Sequence, residues 1–175
     1  MNEGKKFEED FKKSMDKNNI WNYRLRDSSG SWSNNNGSRF TPKNICDYIA
    51  YNNGGLYLLE LKSHKGSSLP FAAISDYQLK GLSSIDYLGI KAYFIINMRD
   101  KEKTYAIEAL KIKTYIETSG RKSIPINFMD SEGIEIKGIK RRTRFEYDVE
   151  ELLCGYMIRW EDILKSSELK MLQKC

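Results

Sequence analysis

Three side chains, Asp47, Glu60 and Lys62, combine the residue types that metal-assisted hydrolysis of a phosphodiester requires. Two carboxylates within a few ångströms repel each other, so that one pKa rises or a divalent cation binds between them. Hard oxygen ligands suit Mg²⁺, with Mn²⁺ as a substitute. Such an ion polarises a phosphoryl oxygen and lowers the pKa of bound water, and a neighbouring ammonium stabilises the developing charge. The trio therefore predicts a hydrolytic site.

A hairpin has to bring these side chains together. Asp47 lies in a predicted strand over residues 45–50, and Glu60 lies at the end of a second one over 56–61. Because strand side chains alternate, Glu60 and Lys62 share a face. The Asn-Gly-Gly sequence at 53–55 favours a tight turn, so antiparallel pairing brings Asp47 to the same end. An exposed cross-strand ion pair is the alternative interpretation.

The remaining pattern predicts one α/β domain, a mixed β-sheet flanked by helices. Residues 3–18 carry Phe7, Phe11 and Met15 on one helical stripe, with Glu8 at its margin, from where it can reach the ion directly or through water. Further helices are predicted at 75–88, 109–117 and 161–172. Strands or extended segments are predicted at 20–25, 90–98, 103–109, 124–128 and 134–139. A Ser/Asn/Gly-rich loop covers 27–41, and 156–175 is a C-terminal helical segment.

Composition excludes several classes of protein. The 175 residues carry 29 basic and 24 acidic side chains, a formal net charge of +5, and no apolar run long enough to span a membrane. Acidic residues near the amino terminus argue against a signal peptide. Three widely spaced cysteines and one histidine predict a reducing compartment without a zinc site. We therefore expect a cytoplasmic protein, and the positive charge makes a polyanionic partner plausible.

Further residues are predicted either to contact DNA or to have a structural role. The basic positions predicted to contact DNA are Arg39, Lys43, Lys65, Arg121, Lys122, Lys140, Arg141, Arg142 and Arg144. The alternative is a solvated basic surface, and strand alternation would put Arg142 and Arg144 on one face. We interpret Trp21 and Tyr23 as core residues rather than base-stacking ones. His64 is interpreted as a solvated loop residue, with a phosphate contact or proton acceptor as its alternative.

The motifs together resemble those of the RecU-type Holliday junction resolvases of Gram-positive bacteria and their phages, in the PD-(D/E)XK nuclease superfamily. The resemblance covers residues 4–155 and rests on the ordered occurrence of Gly4–Glu8, Asp47-Tyr48, Glu60-Leu61-Lys62, Leu69–Phe71, Gln78, Ala92–Met98 and Gly120–Pro125. It implies a restriction-endonuclease-like core with Asp47, Glu60 and Lys62 as the catalytic trio. It also implies that Glu8 is the helix carboxylate and that Gln78 lies near the scissile phosphate. The implied protein is a Mg²⁺-dependent homodimer that cuts four-way DNA in recombination and repair, in a bacterial cell or a phage-infected host.

Two positions depart from that pattern. Cys46 stands where the superfamily has proline, and the loop at 27–41 replaces the long basic stalk of RecU proteins, with Arg39 and Lys43 as the basic residues of that interval. The shorter loop keeps an alternative substrate open, namely that of a structure- or sequence-specific nickase or restriction-like nuclease. A second alternative is a non-catalytic module that binds branched DNA.

Overall fold

The computed structural model describes residues 2–25, 43–85 and 90–153. The helices are α1 (Glu3–Lys17), α2 (Asp76–Ser83), α3 (Ala109–Thr118) and α4 (Ile126–Glu132). The strands are β1 (Trp21–Arg24), β2 (Tyr48–Asn52), β3 (Gly55–His64), β4 (Ser68–Pro70), β5 (Lys91–Met98), β6 (Lys103–Glu108), β7 (Ser123–Pro125), β8 (Ile134–Ile136), β9 (Gly138–Arg141) and β10 (Arg144–Tyr147). The predicted loop at 27–41 and the predicted helical segment at 156–175 lie outside the described residues.

A six-stranded mixed sheet organises the molecule, with the strand order β1-β2-β3-β5-β6-β8. β3 and β5 are parallel, and the other neighbours in this sheet are antiparallel. Asn53 and Gly54 form the two-residue turn between β2 and β3 with φ of 47° and 82°. Those positive values suit a hairpin turn that follows the twist of the strands, and asparagine and glycine adopt them readily. The turn thereby fixes the register that the sequence predicts.

Helices cover both faces of this sheet, which confirms the predicted α/β architecture. On one face Phe7, Phe11 and Met15 of α1 pack against buried side chains of β2, β3 and β5. On the other face Leu79 and Leu82 of α2 join residues of α3, α4, β5 and β6 in a second core. The central strand β5 is buried on both faces, as its continuous apolar run predicts. Within the described residues, no helix is both long and apolar enough to cross a bilayer.

Buried polar side chains of α1 hold strand β10 in place. Asp10 accepts a hydrogen bond from the backbone N–H of Phe145 at 3.0 Å, and Ser14 accepts one from Tyr147 N–H at 2.9 Å. Asp10 and Ser14 are each 2% exposed. The helix thus satisfies backbone donors that would otherwise lack a partner. The sequence signal was available, because both residues fall on the same helical stripe as Phe7 and Phe11.

Four local expectations are wrong, and one of them concerns His64, which is the half-buried last residue of β3 rather than a solvated loop residue. Residues 126–128, predicted as extended, begin α4, because β7 ends at Pro125 and the following turn buries Met129. Arg142 occupies the turn between β9 and β10 with φ of 47°, so it does not share a strand face with Arg144. Trp21 and Tyr23 are 56% and 55% exposed rather than core residues. They lie on the edge strand β1.

Candidate active site

The open end of the β2–β3 hairpin places Asp47 beside Glu60. Tyr48, the first residue of β2, pairs with Leu59, and the Asp47 N–H donates to the Leu59 carbonyl at 3.0 Å. The Asp47 carboxylate then accepts the Leu61 N–H at 2.7 Å. Asp47 is therefore held by the residues on either side of Glu60. The predicted convergence of these two carboxylates is present in the structure.

Glu60 is a buried carboxylate with one oxygen engaged. Its side chain is 2% exposed, and its Oε1 lies 2.7 Å from the Lys62 ammonium nitrogen. Lys62 also donates to Oε1 of Gln78 on α2 at 3.3 Å. The second oxygen, Oε2, is buried and has no hydrogen-bond partner among the described residues. A buried acceptor without a partner is costly, so this atom is suited to an incoming ligand.

The electrostatics of the pair show why a cation would bind here. Burial, followed by the nearby charge of Asp47, raises the pKa of Glu60 to about 7, against partial compensation by Lys62 and Gln78. Burial, followed by the charges of Glu60 and Asp47, also raises the pKa of the Cys46 thiol to about 12. Cys46 is therefore a neutral thiol at physiological pH. The site concentrates negative potential that a divalent cation would relieve.

A polar cleft of about 300 Å³ opens onto Asp47. Its lining residues are Lys43, Asn44, Cys46, Asp47, Ser75, Tyr77 and Gln78. Two elements build it, the segment that leads into β2 and the amino-terminal turn of α2. The cleft joins the carboxylate to a cation, Lys43, and to hydrogen-bonding groups, which is the mixture that a phosphodiester requires. Of these, Asn44, Ser75 and Tyr77 were not predicted as site residues.

The donor set fits Mg²⁺ with few protein ligands. No group of three or more His, Cys, Asp or Glu side chains within the described ranges could hold a metal ion together. Mg²⁺ usually keeps several waters and takes one or two carboxylates together with substrate phosphate oxygens. Asp47 and the unpartnered Oε2 of Glu60 match that requirement. A structural ion that needs a closed cage of side chains would not fit here.

Glu8 lies in a neighbouring cleft. Its carboxylate pairs with the Arg24 guanidinium at 2.8 Å, and the two residues line a cavity of about 280 Å³ with Lys5, Glu9, Lys12 and Tyr48. Glu8 and Asp47 both raise the pKa of Tyr48, whose burial is the main cause of a value of about 12. Tyr48 also hydrogen-bonds to Arg24. The structure thus connects Glu8 to the start of β2 through Arg24 and Tyr48.

The residues predicted to bind DNA separate into two groups. Lys43, Lys65, Arg121 and Lys122 are exposed, whereas Arg39 lies outside the described residues. In the second group, Lys140 pairs with Glu102 at 2.6 Å and Arg141 with Glu146 at 3.4 Å. Arg144 pairs with Glu9 at 2.6 Å and with Asp10 at 2.5 Å. Charge runs in the sequence could not reveal these partners, because the carboxylates are distant along the chain.

Comparison with known proteins agrees with this geometry. The carboxylates at the open end of a hairpin, the following lysine and the helices on both sheet faces define the PD-(D/E)XK nuclease core. The family model for RecU, recombination protein U, matches residues 13–148. The chain therefore belongs to the RecU family.

Two relatives illustrate the match. The SPbeta prophage-derived uncharacterized protein YotM of Bacillus subtilis (strain 168) is 28% identical over 177 residues, covering 91% of this chain and 89% of YotM. The solved structure of Hjc, a Holliday junction resolvase from Archaeoglobus fulgidus, superposes with a TM-score of 0.53 at 18% identity. It covers 75% of this chain and 95% of Hjc. The similarity to Hjc supports the restriction-endonuclease-like fold.

Proposed function

We propose that this protein is a divalent-metal-dependent endonuclease that resolves four-way DNA junctions by hydrolysing phosphodiesters as a homodimer. The observation that carries the proposal is the pair of adjacent carboxylates, Asp47 and Glu60, with Lys62 bound to one of them and with a buried Glu60 oxygen, Oε2, to which no described residue hydrogen-bonds. Membership of the RecU family and the fold shared with Hjc support the choice of branched DNA. The site of action would be the cytoplasm, where bacterial or phage DNA is recombined.

Each residue has a role that follows from its position. Asp47 and Glu60 would hold Mg²⁺, or Mn²⁺ in its place, which when bound supplies Lewis-acid activation of the phosphodiester and a water of lowered pKa. Lys62 keeps its ammonium at the edge of the cleft, where it can orient the attacking water and stabilise negative charge on the phosphate. Gln78 fixes the Lys62 side chain through their hydrogen bond. Glu8 would support the site from its margin through Arg24 and Tyr48.

Exposed cations would hold the backbone of the DNA. Lys43 lies in the cleft beside Asp47, and Lys65 follows the carboxyl end of β3. Arg121 and Lys122 lie next to this end, since the Phe71 N–H donates to the Lys122 carbonyl at 3.0 Å and β4 pairs with β7. Each phosphate neutralised by such a residue strengthens binding and makes it dependent on salt. Arg142, at the tip of the β9–β10 turn, is a further exposed cation.

The test is cleavage of a synthetic four-way junction, with a linear duplex of the same sequence as control. We expect cutting in Mg²⁺, none in EDTA, and a loss of at least about a hundredfold for Lys62→Ala or Asp47→Asn. Junction binding should persist in both variants, because neither change removes the outer cations. Normal cutting by both variants would overturn the assigned roles, and cleavage of the duplex alone would replace the junction by a restriction-like substrate.

The dimer needs a measurement of its own. Two nicks at opposing positions of a junction require two active sites, so light scattering at micromolar concentration should give twice the chain mass. A monomer, alone and with junction DNA, would exclude paired cleavage and favour a nickase. Junction binding that is indifferent to metal, with no cutting under any condition, would favour the non-catalytic binding module.

A further inference from the structure

The outer part of the sheet carries exposed aromatic side chains on the same face as the catalytic carboxylate. Trp21 is 56% exposed, Tyr23 is 55%, Tyr51 is 49% and Leu56 is 37%. The registers place Trp21 opposite Tyr51 and Tyr51 opposite Leu56, so these three form one row across β1, β2 and β3. Tyr23 lies two positions after Trp21, on the same face of β1. We call Trp21, Tyr23, Tyr51 and Leu56 the aromatic row.

This row shares its face of the sheet with the candidate active site. Leu56, Leu58, Glu60 and Lys62 alternate along β3 and therefore share a face. Glu60 lies four positions after Leu56, a distance of about 13 Å along a strand. A few nucleotides beyond a phosphate held at Glu60 would reach the row. Between the two lies Leu58, which α2 covers.

We propose that the aromatic row is a stacking platform for unpaired bases next to the phosphate that is cut. The proposal rests on the proposed function and specifies how that site holds its substrate. Trp and Tyr present flat faces on which any base can stack, and such contacts tolerate all sequences. Lys43 and Lys62, at the Glu60 end of these strands, supply positive charge for the phosphate that is cut.

The size of the row favours bases over a second copy of the chain. Its exposed area is about 400 Å², estimated from the surface of the side chains involved. A stable protein–protein interface of ordinary size needs about 800 Å² on each partner. The row is therefore about half of what a dimer contact would need. It matches the area that a small number of bases can cover.

The experiment compares DNA binding by the full chain and by matched variants in EDTA, so that nothing is cut. The test variant is Trp21→Ala with Tyr51→Ala, the conservative one is Trp21→Phe with Tyr51→Phe, and the control is Leu110→Ala, an exposed residue of α3. Anisotropy is measured on labelled oligothymidine, on a blunt duplex and on a four-way junction. Thermal melting checks that each variant folds.

The double alanine variant should bind oligothymidine at least about tenfold more weakly, and the phenylalanine variant should stay within about threefold of the parent. Duplex affinity should change by less than about twofold in every variant, because a duplex offers no free base. The junction should lose affinity with the alanine variant. For the parent protein, a junction with abasic nucleotides beside the cut position should show the same loss of affinity. The alanine variant should bind the abasic and the intact junction equally, because the contact is already absent.

Two results would overturn the platform. One is equal binding of oligothymidine by the parent and the alanine variant, or no binding by either. The other is a parent dimer that becomes a monomer in the alanine variant, with all DNA affinities falling together, because the row would then be a contact between copies. Failure of the parent to cut the junction refutes the proposed function instead, and oligothymidine binding still decides the platform.

Discussion

Replacing Glu60 by glutamine should stabilise the metal-free protein at pH 8 and have little effect at pH 5. Glu60 is 2% exposed, and its pKa rises from the ordinary 4.5 to about 7 because of burial and the charge of Asp47. A carboxyl whose folded pKa is raised contributes stability that is fully present below the unfolded pKa. That stability is lost as the pH rises through the folded pKa. The relevant window is therefore pH 4.5 to about 7.

The expected size follows from the two pKa values. Ionising this carboxyl in the folded rather than the unfolded chain costs about 3 kcal/mol at pH 8 and less than about 1 kcal/mol at pH 5. Glutamine removes that cost but weakens the contact with Lys62, which is 21% exposed. The difference in unfolding free energy between variant and parent should thus grow by about 2–3 kcal/mol from pH 5 to pH 8. For a domain of this size, that corresponds to about 4–12 °C in Tm.

Urea unfolding at several pH values in EDTA measures this difference directly. Glu117→Gln on α3 is the matched control, because Glu117 is exposed and should give the same small difference at every pH. A flat difference for Glu60→Gln between pH 5 and pH 8 would contradict the raised pKa. Glu60 would then have an ordinary pKa, and the carboxylate pair would have no electrostatic reason to bind a cation.

Two further predictions use the same unfolding assay. Mg²⁺ at a hundred times its Kd should stabilise the parent by about 3 kcal/mol at pH 8 and much less at pH 5, where Glu60 keeps its proton. Asp47→Asn should abolish this stabilisation. If that variant responds to Mg²⁺ as the parent does, the ion binds elsewhere. Asp10→Ala should cost about 3 kcal/mol, because the part-buried Phe145 N–H and the Arg144 guanidinium lose the buried carboxylate that accepts from them. Glu9→Ala removes a 51%-exposed partner of the same arginine and should cost less than about 1 kcal/mol. Equal costs would show that burial of Asp10 does not matter.

The convergence of Asp47, Glu60 and Lys62 could be predicted because its determinants are local. Asn53 and Gly54 fix the turn, the turn fixes the register, and alternation assigns the faces. The spacing of two residues between Glu60 and Lys62 is enough to predict that they share a face. Predicting that Asp47 lies beside them also requires the position of the turn. The central strand β5 was equally predictable, because a run that is buried on both faces needs no knowledge of its neighbours.

Features that depend on distant partners could not be predicted from the sequence. Arg144 belongs to a basic run predicted to contact DNA, which stays a prediction, and the sequence does not show that Arg144 also pairs with carboxylates on α1, 135 residues away for Glu9. Trp21 and Tyr23 alternate as core residues do, and the sequence does not say that α2 ends at Ser83 before it reaches their part of the sheet. Periodicity distinguishes two faces. It does not tell which parts of a face a helix covers.

The position of Glu60 explains how the protein can keep a destabilising carboxylate. β3 lies between β2 and β5, and Leu59 and Leu61 on either side of Glu60 are buried in the core beneath α1. Turning Glu60 towards water would pull both leucines out of that core, at about 2 kcal/mol or more for each side chain. That is comparable to the free-energy cost of the raised pKa, so the carboxylate stays in place although none of the described residues hydrogen-bonds to its Oε2. The free-energy cost of keeping Glu60 ionised in the folded protein strengthens cation binding. Binding relieves that cost, because it removes the repulsion from Asp47 and gives Oε2 a partner.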